Sequence, residues 1–137
     1  ATAGALFRLP VATAADLARY YQALMANPDG MWDPEALRLA TQEILVNLPD
    51  PMLGFAANRS AGLTIAGDDA NFTLRGFGAG CSPRTFGHNG AGGQMSWADP
   101  DTGLSMGFVT SGIDANFLRE ARRTISIASK VADSVSG

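Results

Sequence analysis

The stretch that most restricts the fold is residues 86–104, where glycine-rich backbone leads into an alternating segment and a tight turn. The only histidine of the chain, His88, lies inside the glycine cluster. Residues 94–98 then alternate between polar and apolar side chains, which is typical of a half-buried strand. An Asp-Pro-Asp-Thr-Gly turn at 99–103 reverses the chain. A histidine side chain among glycines indicates a place where the backbone approaches another group closely.

The middle of the chain carries further strand signals. Residues 104–110 alternate again and are predicted to pair with 94–98 around the turn. Upstream, the alternating segments 61–66 and 72–77 predict a second hairpin across the Gly-Asp-Asp-Ala stretch at 67–70. These segments together predict an antiparallel sheet.

Two helices are predicted before the sheet. Residues 13–26 form an amphipathic pattern, with Thr13 as the N-cap and Asp16 in the first turn. Its apolar positions follow the helical spacing and comprise Leu17, Tyr20, Tyr21, Leu24 and Met25. The second helix is predicted to start at Asp33 and to continue until Pro49 stops it.

A final helix is predicted after Ile113, with Asp114 as its cap. Its predicted buried stripe comprises Phe117, Leu118, Ala121, Ile125, Ala128, Ala132 and Val135. Trp97 is expected to pack beneath this helix. The closing helix therefore covers one face of the sheet.

The order of elements predicts an α+β fold within a single domain or fragment spanning residues 1–137. The helical part covers 1–50, the antiparallel sheet 51–112 and the C-terminal helix 113–137. No internal repeat or low-complexity linker divides the chain.

Composition excludes several classes of function. Apolar residues make up 46% of the chain and charged residues 17%, as in globular domains. A net charge of −3 gives no general attraction to nucleic acid, so no nucleic-acid partner is expected. No apolar run is long enough to span a bilayer, which predicts a soluble protein. With one histidine and one cysteine, Cys81, the usual four zinc ligands are not present, and we expect no metal or cofactor.

Two segments carry a resemblance to a known family. Residues 12–21 are similar to a Ser-Thr-Ala-x-Asp-Leu-Ala-Arg helix, and residues 86–104 to a Gly-His-x-Gly-x-Gly-Gly hairpin with an Ala-Asp-Pro-x-x-Gly-Leu turn. In these segments the chain resembles the C-terminal half of the serine β-lactamase and penicillin-binding-protein-like family. The nearest branch is that of class C β-lactamases with their esterase and D-aminopeptidase relatives. The resemblance implies the C-terminal portion of a β-lactamase/transpeptidase-like fold.

The resemblance also implies roles for four consecutive residues. His88 would act in the catalytic proton network or donate toward the acyl side of the substrate. Asn89 and Gly90 would bind substrate, with Gly90 leaving room for it against the strand. The amide of Ala91 would be one of two oxyanion-hole donors. Where relatives have Lys-Thr-Gly, His88 removes a permanent charge and Asn89 a hydroxyl, which favours ester or small amide substrates over penicillins.

The other motifs of the family are missing from this sequence. A Ser-x-x-Lys motif would have to end at the only lysine, Lys130, but Ile127 stands three positions earlier. No Tyr-x-Asn motif follows from Tyr20 or Tyr21. Since acyl transfer needs a nucleophile and its base, this chain alone is not expected to be active. The implied partner is the N-terminal half of the same protein, carrying both motifs.

Other interpretations of the same residues stay open at this point. His88 can be a turn residue bonded to backbone, and the glycines can serve a tight turn alone. The chain can equally be a non-catalytic binding module, or a structural fragment derived from the same fold. A half-domain should expose an apolar patch on its opening helices and an unpaired strand edge, so self-association or a bound partner is expected.

Overall fold

A computed structural model describes residues 12–51, 53–90, 92–112 and 114–135. Its helices are α1 (Ala14–Ala26), α2 (Pro34–Thr41) and α3 (Phe117–Asp133), with a short 3-10 turn at Pro28–Gly30. Its strands are β1 (Thr64–Ile65), β2 (Phe86–Asn89), β3 (Met95–Asp99) and β4 (Leu104–Phe108). The strands form one antiparallel sheet in the order β1-β2-β3-β4. The predicted α+β class is confirmed.

Helix α1 begins and ends where the sequence predicts. The Thr13 hydroxyl accepts from the Asp16 amide at 3.1 Å, and the Asp16 carboxylate accepts from the Thr13 amide at 3.0 Å. This reciprocal capping box satisfies two backbone donors that the first turn leaves unpaired. Asn27 ends the helix in the left-handed conformation, with φ of 42°.

The predicted start at Asp33 is confirmed as the N-cap of α2, but the helix ends at Thr41, so the prediction that it continues to Pro49 was wrong. The chain is extended after Thr41 because the amides of Leu45 and Val46 donate to a distant carbonyl and not to a helical one. The amides of Leu45 and Val46 both donate to the carbonyl of Arg59, at 2.8 and 3.0 Å. The Arg59 amide donates back to the Val46 carbonyl at 2.9 Å. A non-local bridge therefore outweighs helical periodicity here.

The predicted hairpin between 61–66 and 72–77 was also wrong. Thr64 and Ile65 pair instead with Gly87 and Phe86 of β2. Residues 71–76 form successive turns, in which the Asn71 carbonyl accepts from the amides of Leu74 and Arg75. Those turns direct the side chain of Arg75 into the interior, where it is 2% exposed.

The hairpin of β3 and β4 confirms the alternation in the sequence. Met95 pairs with Phe108, and Trp97 pairs with Met106. Their side chains lie on the sheet face covered by α3, where Trp97 is 1% exposed and packs in one cluster with Ala128 and Ala132. Trp97 thus lies beneath the last helix, as expected.

The start of α3 differs from the prediction. Asn116, rather than Asp114, caps the helix by accepting from the Arg119 amide at 3.0 Å. Asp114 pairs with the Arg119 guanidinium instead, and Ile113 lies outside the described residues. The predicted stripe is buried at Ala128 and Ala132 and half-buried at Ala121 and Ile125, whereas Phe117, Leu118 and Val135 are exposed.

The opposite face of the sheet packs against α1. Tyr21 and Leu24 of α1 form a second buried cluster with Ile65, Phe86 and Ala98. Gly107 of β4 makes this approach close, since a Cβ built there would lie 2.2 Å from the Ala14 carbonyl oxygen. Helices therefore cover both faces of the sheet, as in layered α+β domains. Within the described ranges, none of the helices has the length and apolar character needed to span a membrane.

Candidate active site

The C-terminal end of β2 forms the centre of the candidate site. Strand β1 pairs only with Phe86 and Gly87, whereas His88 and Asn89 pair only with β3 among the described residues, through Ser96 and Met95. The outer edge of β2 at His88 and Asn89 is therefore not covered by a strand in the described ranges. Such an edge can receive an extended ligand or another chain segment.

Both ring nitrogens of His88 have partners. Nδ1 lies 2.6 Å from the carbonyl oxygen of Asn89. Nε2 lies 3.0 Å from Nη1 of Arg59, which also donates to the Thr64 hydroxyl at 2.9 Å. The side chain of His88 is exposed, so these contacts orient a ring that solvent or a ligand can reach.

The structure separates the glycines of this cluster into two groups. Gly92 and Gly93 have φ of 89° and 82°, so the turn itself requires them. Position 87 has no room for a side chain, because a Cβ there would lie 2.3 Å from the Ser96 carbonyl oxygen. At Gly90 neither constraint applies, since the nearest atom to a built Cβ is Oε1 of Gln94 at 3.3 Å. The fold therefore does not demand glycine at position 90.

Asn89 is tied to a neighbouring loop. Its Nδ2 donates to the carbonyl oxygen of Arg75 at 3.0 Å. A Cβ built at Gly76 would lie 1.7 Å from this amide nitrogen, so the side chain of Asn89 packs directly over the loop. Ala91, the predicted oxyanion-hole donor, lies outside the described residues. The substrate contacts assigned to Asn89 and Ala91 stay predictions.

A cavity of about 280 Å³ opens beside His88. Its apolar wall comprises Leu53, Phe55, Ala57 and Leu74, and its polar wall comprises Asp50, Arg59, Thr64, Arg75, His88 and Asn89. A mostly apolar cleft with a few polar groups is the usual form of a small-molecule site. A larger cavity of about 520 Å³ lies near Phe86, between α1 and α2. It does not include His88, and we therefore place the candidate site in the smaller one.

The sequence did not predict the role of Arg75, whose buried guanidinium supports the wall of this cavity. Nε and Nη2 donate to the Ala56 carbonyl at 2.9 and 2.8 Å, and Nη1 donates to the Ala66 carbonyl at 2.8 Å. Nη1 and Nη2 each lie 2.6 Å from one carboxylate oxygen of Asp69. The guanidinium also lies 5.5 Å from the ring centroid of Phe55. This network links the loop that carries Asn89's acceptor to the segment before β1.

Three carboxylates make the fold sensitive to acid. The Arg75 guanidinium lowers the pKa of Asp69 to about 2, and the Arg119 guanidinium lowers that of Asp114 to about 2. Burial raises the pKa of Asp99, but the hydrogen bonds that its carboxylate accepts, those from Ser82 first among them, together outweigh burial, and the net shift is downward. A lowered pKa in the folded state stabilises the fold above the pKa of the unfolded state, and this stabilisation is lost as pH falls through the folded value.

We therefore expect the free energy of unfolding to be level above about pH 5 and to fall most steeply between about pH 4 and about pH 2. Urea unfolding at a series of pH values measures this. An Asp69→Asn variant should be less stable at neutral pH and show a shallower acid slope than the parent chain. A slope unchanged in that variant would contradict the role given to the Asp69 and Arg75 pair.

Two other groups that could react when ionised, the Cys81 thiol and the Tyr21 hydroxyl, are held in their neutral forms. Burial raises the pKa of the Cys81 thiol to about 11, and burial raises the pKa of Tyr21 to about 12. Neither group is therefore ionised near neutral pH, and a thiol needs its thiolate form to act as a nucleophile. Within the part of the chain that the structure describes, no three histidine, cysteine or carboxylate side chains cluster as a metal site.

The sequence profile of the β-lactamase family matches residues 4–128. The chain belongs to the β-lactamase family. A comparison with curated proteins gives no match. Among solved structures, a β-lactamase from Mycobacterium bovis superposes with a TM-score of 0.71 at 22% identity, over 90% of this chain and 44% of that one. EstA from Arthrobacter nitroguajacolicus Rue61a superposes with a TM-score of 0.53 at 20% identity, over 92% of this chain and 33% of that one.

These two likenesses confirm the fold. This member of the β-lactamase family spans less than half the length of either solved chain. In both comparisons, more than half of the related chain has no counterpart in this sequence. The chain is therefore equivalent to part of a β-lactamase-like protein.

Proposed function

We propose that this chain is the C-terminal part of a serine hydrolase, and that it supplies strand β2 with His88 to an active site completed by another part of the protein. The observation that carries the proposal is the edge of β2 at His88 and Asn89, where no strand of the described ranges pairs, beside a cavity of about 280 Å³. The reaction would be acylation of a serine by an ester or small amide, followed by hydrolysis. The serine and its base would come from Ser-x-x-Lys and Tyr-x-Asn motifs outside this sequence.

The distribution of exposed apolar side chains supports a missing partner segment. Ile44, Leu45, Val46 and Leu48 follow α2 in the extended segment, and they are 40%, 51%, 47% and 71% exposed. Leu53 and Leu74, in the wall of the His88 cavity, are 38% and 53% exposed. Contiguous apolar side chains at the surface usually mark an interface. They lie after the opening helices rather than on them, and two of them, Leu53 and Leu74, line the proposed active site.

The first experiment is an intact-mass measurement of the native protein, with p-nitrophenyl butyrate and nitrocefin assays on the same sample. The proposal expects a mass well above that of 137 residues and turnover of the ester. Nitrocefin turnover should be weaker, because His88 and Asn89 replace the lysine and threonine of penicillin-recognising relatives. A native mass equal to this chain, with no turnover of either compound, would overturn the proposal and leave a binding or structural module.

Gly90 offers a sharper test, because the fold does not require glycine there. In the complete protein, Gly90→Ala is expected to change the free energy of unfolding by less than about 0.5 kcal/mol. It should lower kcat/KM for the ester about tenfold, because the added methyl group occupies space in which substrate would lie against the strand. Thermal unfolding and steady-state kinetics measure the two effects. Unchanged kcat/KM in a normally folded variant would remove Gly90 from the site.

A further inference from the structure

His88 has only one way to satisfy both of its ring contacts. A backbone carbonyl only accepts hydrogen bonds, so Nδ1 must donate to the Asn89 oxygen across the 2.6 Å contact. A guanidinium only donates, so Nε2 must accept from Nη1 of Arg59 across the 3.0 Å contact. The ring that meets both requirements is neutral, with its proton on Nδ1 and its lone pair on Nε2.

Arg59 is well held for this purpose. Its backbone bridges Val46 on one side and Thr64 on the other. Its Nη1 is shared between the Thr64 hydroxyl, at 2.9 Å, and His88. Its Nη2 lies 3.8 Å from Oδ2 of Asp50, an electrostatic contact longer than a hydrogen bond. The two shorter contacts of the guanidinium therefore join β1, through Thr64, to the end of β2, through His88.

We propose that Arg59 is a positioning residue that selects the tautomer of His88 with its proton on Nδ1, and that keeps a cation at the candidate site. The guanidinium is charged at all working pH values. It would therefore supply beside His88 the permanent charge that a lysine gives the relatives with Lys-Thr-Gly. The catalytic consequence of this proposal rests on the proposed function, whereas the tautomer of His88 does not.

The test uses the single histidine of the chain, whose ring nitrogens give unambiguous NMR signals. Two-bond ¹H–¹⁵N correlation spectra of the 137-residue chain at alkaline pH report which nitrogen carries the proton. The proposal expects a protonated Nδ1 and an unprotonated Nε2 in the wild-type chain. A wild-type spectrum with an unprotonated Nδ1 overturns it outright, whether or not any variant folds.

Variants at position 59 then test the cause. Arg59→Met should shift the tautomer ratio about tenfold toward protonated Nε2, because a charge-assisted donor is lost. Arg59→Lys keeps a donor and should retain protonated Nδ1. Arg84→Met is the matched control, since Arg84 is an exposed arginine paired with Asp101 away from the site. An unchanged ratio in a folded Arg59→Met variant overturns the proposal.

Activity separates this inference from the proposed function. In a complete hydrolase, Arg59→Met should lower kcat for the ester more than it raises KM, and Arg59→Lys should recover most of the loss. A shifted tautomer with unchanged kcat would confirm the contact of Arg59 with His88 while removing its catalytic consequence. An inactive native protein would overturn the proposed function and leave the tautomer result standing.

Discussion

If the complete protein is the proposed hydrolase, His88→Ala is expected to lower kcat/KM for p-nitrophenyl butyrate about 10²–10³-fold, because groups that move protons or stabilise charge in acyl transfer contribute effects of that size. The ring is exposed, and both of its contacts join it to the edge of β2 and to Arg59. Its removal should therefore leave the fold intact. Steady-state kinetics together with thermal unfolding measure the two effects on one sample.

The control for this variant is Arg84→Ala, which removes an exposed side chain at the opposite end of β2 from His88. It should leave both turnover and unfolding temperature unchanged. A His88→Ala enzyme that keeps more than about half of the parent activity would contradict the role proposed for the strand. His88 would then be a strand residue whose ring only bonds to the Asn89 carbonyl and to Arg59.

Arg75→Met is expected to lower the free energy of unfolding by about 2–4 kcal/mol, because it leaves the carbonyls of Ala56 and Ala66 without their donor. The side chain of Arg75 is 2% exposed, and its guanidinium donates to Asp69, Ala56 and Ala66. Methionine fills part of the volume but donates no hydrogen bond. Urea unfolding of the two chains at neutral pH measures the difference.

The same substitution should loosen the site without touching His88. The carbonyl of Arg75 accepts from Asn89, so a displaced loop would release that side chain. Arg84→Met, in a pair whose side chains are 61% and 42% exposed, should cost less than about 0.5 kcal/mol. Equal losses in the two arginine variants would show that burial of Arg75 has no energetic weight.

The parts of the fold that short-range patterns specify were predictable. The capping box of Thr13 and Asp16 lies within four residues, and the turn at Asp99 is read from five consecutive letters. The alternation around Trp97 also placed one face of the sheet correctly. In each of these elements, neighbours in sequence satisfy one another's hydrogen bonds or share one buried face.

The errors occurred where distant residues compete with local periodicity. Val46 lies outside α2, although a helix was predicted there, because its backbone hydrogen-bonds to Arg59. Thr64 pairs with Gly87 and not with the predicted hairpin strand at 72–77. Residues 72–77 were predicted to form a strand, but residues 71–76 form turns. These turns bury the side chain of Arg75, which pairs with Asp69 and with backbone carbonyls. No sequence period encodes a side chain that turns inward to satisfy carbonyls elsewhere in the chain.

The candidate site was predictable only in part for the same reason. Glycine spacing and family resemblance singled out His88 and Gly90. Arg59 lies 29 residues before His88 in sequence. Its backbone pairs with Val46 and Thr64 in two isolated bridges, and these bridges place its side chain against the His88 ring. Neither its spacing nor its residue type distinguishes it from the other arginines, so its position became visible only in three dimensions.

The layering of the sheet between α1 and α3 leaves the end of β2 as a surface on which another segment can pack. The two helices bury the centre of the sheet, whereas His88, Asn89 and Gly90 lie outside both buried clusters and are exposed. Strand β1 pairs only with the first half of β2. In the proposed hydrolase, the segment that carries the nucleophile would therefore be added at the end of β2, without displacing either helix.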